Sequence, residues 1–146
     1  MIKKCFSIII LLIIFLSSCI ENNYIKNDSI IKDEKIDMKL IIDEKEINCT
    51  WYDNDSVKEI NSIKPIEINM NIYGGFEQVG SIGKRIKSDD ENITTTPGDI
   101  VLYNSSNIVV FFGKNTWSYT KLGHINLSEE ELKELLNKPS INLKIE

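Results

Sequence analysis

Ile66-Glu67-Ile68-Asn69-Met70-Asn71-Ile72-Tyr73 alternates apolar and polar residues without a break. A period of two places Ile66, Ile68, Met70 and Ile72 on one face of a strand. The same rhythm recurs through most of the chain beyond Met38. Met38 to Ile42 and Glu46 to Trp51 flank Asp43-Glu44-Lys45, the pattern of a hairpin. Pro97-Gly98 marks a turn, Asp99 to Tyr103 a strand and Asn104-Ser105-Ser106-Asn107 a second turn. Ile108 to Phe112 is apolar at every position, which suits a strand buried on both sides. Trp117 to Ile125 and Ser140 to Ile145 complete the set.

Two segments depart from this rhythm. Asn54 or Asp55 can cap a short helix over Ser56 to Ile60, and Ser128-Glu129-Glu130-Glu131 reads as a capping box. The box opens a helix to Leu136, closed by Asn137 and Pro139. Asp89-Asp90-Glu91 reads as a solvated loop, and Gly74, Gly75, Gly80, Gly83 and Gly98 as turns or bulges. Strands separated by turns, with two short helices and no βαβ rhythm, predict a mainly β fold: a closed or nearly closed barrel. Residues 38–146 suffice for one small core.

The N-terminal third has a different pattern. Lys3 and Lys4 precede an uncharged run from Ser7 to Phe15, and Leu16-Ser17-Ser18-Cys19 follows. A basic segment, an apolar segment and small residues form an export signal over residues 1–18. A transmembrane helix needs about 20 apolar residues, and this run is about half as long. Leu16-Ser17-Ser18-Cys19 resembles the bacterial lipobox, which implies cleavage before Cys19 and lipid attachment to its thiol. Membrane anchoring through Cys19 follows, and because Ile20 rather than aspartate comes next, the outer membrane is expected where the cell has two. Residues 19–37 mix Asn, Asp and Lys with scattered isoleucines and read as the lipidated terminus and tether.

Cysteine and charge narrow the chemistry. Of three cysteines, Cys5 leaves with the signal and Cys19 is consumed by lipid, so Cys49 has no intramolecular partner. Loss of Lys3 and Lys4 takes the net charge from −5 to −7, which makes nucleic acid an unfavourable partner. One histidine, His124, and one remaining cysteine cannot supply a zinc tetrad. Asp53-Asn54-Asp55 lacks the glycine and carboxylate spacing of a calcium loop. No metal and no cofactor is expected. His124 follows Leu122-Gly123 at a strand end and reads as a surface or capping residue.

Tyr73-Gly-Gly-Phe-Glu-Gln-Val-Gly-Ser-Ile-Gly, Pro97-Gly-Asp-Ile-Val-Leu-Tyr and Trp117-Ser-Tyr-Thr-Lys-Leu-Gly occur in that order, with Asp53-Asn54 ahead of the first helix. Together they resemble the bacterial cyclophilin-like proteins, a family divergent from true cyclophilins. The resemblance spans about Met38 to Glu146. It implies a cyclophilin-like barrel capped by two short helices, and it implies no established reaction.

True cyclophilins isomerise X-Pro bonds, whose uncatalysed barrier is about 18–20 kcal/mol. Their catalysis needs an apolar seat for the proline ring and a guanidinium at the prolyl nitrogen. Arg85 is the only arginine, and Gly-Ser-Ile-Gly-Lys-Arg-Ile-Lys does not match the aromatic-rich context of the cyclophilin arginine. Arg85 is therefore a catalytic candidate only if the protein is an isomerase, and no other catalytic residue emerges. Trp117, Tyr119 and Phe76 could line a ligand groove or pack the barrel core and rim. Gln78 and Ser118 are the candidate polar orienters, with Arg85 the remaining candidate contact. Two expectations result: a membrane-tethered, non-catalytic module that binds a peptide or small molecule, or a prolyl isomerase with a divergent site.

Overall fold

The computed structural model describes residues 36–146, so the export signal, Cys19 and nearly all of the tether lie outside the described residues. Ten strands and two helices follow one another: β1 (Leu40–Ile42), β2 (Lys45–Ile47), β3 (Cys49–Trp51), α1 (Asp55–Ile63), β4 (Ile66–Tyr73), β5 (Glu77–Ser81), β6 (Glu91–Thr94), β7 (Asp99–Tyr103), β8 (Asn107–Phe111), β9 (Thr116–Ile125), α2 (Glu129–Leu136) and β10 (Ser140–Ile145). The antiparallel sheet runs β2-β1-β10-β4-β5-β8-β7-β9-β3, with β6 added to β9. Its ends, β2 and β3, adjoin in sequence across Asn48 without pairing, so the barrel is nearly closed rather than closed.

Register follows from the apolar alternation. Ile66, Ile68 and Met70 of β4 oppose Ile145, Leu143 and Ile141 of β10, and all six side chains are buried. Leu40 and Ile42 continue the layer from β1. Ile100, Leu102, Ile108 and Val110 belong to the same interior, as do Val57 and Ile60 of α1 and Leu132 and Leu136 of α2. Beside Ile68 and Met70 the wall must thin. A Cβ on Gly80 would lie 2.3 Å from Ile68 Cγ2 and 2.9 Å from Met70 Cγ.

The alternate residues of β7 and β8 point the other way and form a second apolar layer: Val101, Val109 and Phe111, joined by Tyr119 of β9. Phe76, Val79 and Ile93 pack against it. Strand β8 is thus covered on both faces from Ile108 onward, as the uniformly apolar run that begins there predicts. A register shift at Ile100/Val101 lets β9 serve both layers: Leu122 and Ile125 join the interior, and Tyr119 joins the second layer.

Both helices begin where capping chemistry places them. Asn54 accepts from the Val57 amide and caps α1, which runs three residues past the expected end at Ile60. Ser128 and Glu131 form the reciprocal capping box of α2. Replacing Ser128 with alanine is expected to destabilise the domain by about 0.5–2 kcal/mol in a denaturant titration.

Three other expectations change. Glu46 to Trp51 is two strands, since the chain passes from β2 to β3 at Asn48 and β3 pairs with β9. Asp89-Asp90-Glu91 is more than a solvated loop: the Asp89 amide donates to Thr120 Oγ1, whose hydroxyl donates to Asp90, and Glu91 begins β6. Gly80 is neither turn nor bulge but an inward position of β5.

Candidate functional site

The second apolar layer does not cover itself completely. Above it lies a cleft of about 250 Å³, floored by Val79 of β5 and Val109 of β8. Tyr119 and Trp117 of β9, Tyr103 of β7 and Tyr73 of β4 supply its aromatic walls, and Asn115 comes from the loop before β9. Tyr73, Tyr103 and Trp117 are three of the four exposed large hydrophobic residues among the described residues, and all three border this one cleft. Tyr103 meets Tyr119 edge-on at 6.0 Å, and Tyr119 meets Phe111 edge-on at 5.7 Å. These contacts fix the rings against the layer beneath.

Glu77 is the charged member of the cleft. It opposes Phe111 on β8 and Tyr73 on β4, so strand alternation turns it toward the second layer. The residue is 6 % exposed, and its Oε2 is sealed from solvent with no hydrogen-bond partner. Burial pushes its carboxyl up to about 7. The Tyr119 phenol is also raised, first by burial, with smaller contributions from Glu77 and Tyr103; a 2.9 Å hydrogen bond from the Asn115 amide works against them.

The sequence-derived candidates divide. Trp117 and Tyr119 line the cleft. Phe76 does not: it stacks on Phe111 at 6.4 Å and supports the layer from one side. Gln78 faces the barrel interior, where its amide nitrogen donates to Leu136 O and Lys138 O and satisfies carbonyls at the end of α2. Ser118 is exposed and opposes Asn92 of β6. Arg85 lies apart, in a broader polar hollow shared with Ser88 and Ser105, and donates to Ser105 Oγ at 3.2 Å. The arginine and the aromatic rings therefore do not form one groove.

Tyr73, Glu77 and Tyr103 join the site only through strand pairing, and Asn115 through the loop that leads into β9. The available signal was the placement of Glu77 two residues before Val79, which puts an acid on the face of an apolar neighbour.

His124 has a partner that the sequence did not reveal. Its Nδ1 lies 2.9 Å from Asp99 Oδ1, while Asp99 Oδ2 accepts from the Thr96 amide and hydroxyl. Gly98 is required beside it: its φ is +96°, and a Cβ there would fall 2.8 Å from Ile125 O. The pair orients an imidazole but lacks a nucleophile, since no hydroxyl or thiol hydrogen-bonds to the ring among the described residues. Burial pushes the nearby Cys49 thiol up to about 12, outweighing its bond to the His124 backbone, so the sulfur stays protonated at neutral pH.

A search of curated proteins finds no match to the chain. The model of the Cyclophilin-like family matches residues 40–146, the whole barrel from β1 through β10. With most of its length matched in this way, the chain belongs to the cyclophilin-like family.

Proposed function

We propose that the protein is an exported, lipid-anchored member of this family that binds a peptide or small molecule in the aromatic cleft without chemical turnover. The observation that carries this reading is the separation of Arg85 from the cleft: the rings that could seat a ligand have no guanidinium among them. Isomerisation by the cyclophilin route requires both at one site. The apolar floor, exposed rings and few polar groups are the ordinary features of a binding pocket.

The purified protein is accordingly expected not to accelerate cis–trans exchange of an X-Pro peptide in NMR exchange spectroscopy. A fragment and peptide screen should instead shift resonances of Trp117 and Tyr119, and Trp117→Ala should abolish those shifts while preserving the fold. Exchange catalysis lost on Arg85→Ala would establish the isomerase reading instead. A screen with no cleft shifts would remove the binding reading.

The anchor part of the proposal rests on Leu16-Ser17-Ser18-Cys19. Cys19→Ala is expected to leave an unprocessed precursor without lipid label. Label that persists in this variant would exclude Cys19 as the attachment site. Membrane fractionation of the wild type tests the expected outer-membrane address in a two-membrane host.

A further inference from the structure

We infer that the cleft recognises an organic cation, the quaternary or alkylammonium group of a small molecule, with the Glu77 carboxylate as its counter-charge and the Trp117, Tyr103 and Tyr73 rings as its walls. This rests on the binding reading above and specifies its ligand.

The argument starts from a cost the fold retains. A buried carboxyl without a hydrogen bond or ion pair is unfavourable in its charged form, because water that solvated it is removed and nothing replaces it. Glu77 is in that position: its Oε2 has no partner, and among the described residues no lysine or arginine lines the cleft. Nearby groups do not supply the missing charge. From β4, β7 and β9 the titratable groups facing it are the phenols of Tyr73, Tyr103 and Tyr119; β8 contributes Val109, and the loop contributes the neutral Asn115. None of these is a cation.

The same walls exclude other ligand classes. An anion would meet an acid and electron-rich ring faces. An uncharged apolar group would fit the floor but leave Glu77 uncompensated. An ammonium group answers both features, since aromatic faces attract cations through their quadrupoles and the carboxylate adds a direct charge pair. Trp117 is 57 % and Tyr73 69 % exposed, so their rings border the opening and leave the site accessible.

Binding is then linked to protonation. The carboxyl must ionise to pair with the cation, so affinity rises with pH and levels off above about 7, where Glu77 is already charged in the free protein.

The test is calorimetric titration of the full chain, held in uncharged maltoside micelles, with choline and with 3,3-dimethylbutan-1-ol, which has the same shape without the charge. Choline is expected to bind roughly tenfold or more tightly than the alcohol at pH 8. Its affinity should fall by roughly tenfold or more at pH 5.5, and Glu77→Gln should weaken choline binding and erase its pH dependence. Equal affinities for the two probes would overturn the cation inference while leaving an apolar binding cleft. Failure of both probes to bind would also overturn it, and the fragment and peptide screen would then decide separately whether the cleft binds anything. Choline affinity unchanged in Glu77→Gln would remove the carboxylate from the recognition.

Discussion

Truncating Phe111 to alanine is expected to lower the unfolding free energy by about 3–5 kcal/mol. The side chain is fully buried, with Phe76 stacked on one side and Tyr119 packed edge-on against it. Its removal leaves a void in a layer already thin enough to border a cleft. Domains of this size have total stabilities of only about 5–15 kcal/mol, so the variant should melt far below the wild type. Urea titrations of the two proteins measure the loss, and Trp117→Ala serves as the comparison. That ring is mostly exposed, and its truncation should alter stability by about 0.5 kcal/mol or less. A Phe111→Ala loss no larger than the Trp117→Ala loss would mean that the second layer is not a cohesive core.

Glu77 sets the second large effect, through pH. Its folded value of about 7 lies above the ordinary 4.5, so between these values the native protein holds a proton that the unfolded chain has released. Stability is then full below about 4.5, falls as pH rises through the window and levels above about 7. A displacement of this size corresponds to roughly 3–4 kcal/mol at most. Glu77→Gln removes the titrating group and keeps the shape. The variant should match the wild type near pH 4 and exceed it at pH 8, when both are measured by denaturant unfolding. Other titrating groups contribute equally to the two proteins and cancel in the difference. A variant no more stable than the wild type at pH 8 would show that the carboxyl is solvated better than its burial implies.

How much of this was readable beforehand depended on whether a residue's surroundings are local. Strand β4 alternates cleanly because one face meets solvent and the other meets the interior, and β8 is apolar from Ile108 to Phe111 because both faces are covered there. Both follow from the sequence. The capping box of α2 is equally local, since Ser128 and Glu131 satisfy each other within one turn. Strand β5 escaped notice because Glu77 and Gln78 disguise a buried strand: one faces the aromatic cleft, and the other meets carbonyls 58 and 60 positions away. Strand β6 was missed for a related reason, since Glu91 and Asn92 look like loop until β9 lies beside them. The site divided along the same line. Trp117 and Tyr119 were legible as unusual aromatics, whereas Glu77 becomes significant only when register sets it opposite Phe111. The distance between Arg85 and the rings is likewise a property of topology, not of any one segment.

The unpaired ends of the sheet bear on the protein's behaviour at high local density. An open sheet edge exposes unpaired backbone amides and carbonyls that can template strand addition by another molecule. Here each end of the ladder is only three residues long, and β2 carries exposed Lys45 and Glu46 on its short span. Among the described residues, the apolar run Ile108 to Phe111 lies away from those ends, with a neighbouring strand on each side and an apolar layer over each face. Copies crowded together therefore meet short margins at those ends, while the apolar run of β8 stays out of reach until the barrel itself opens.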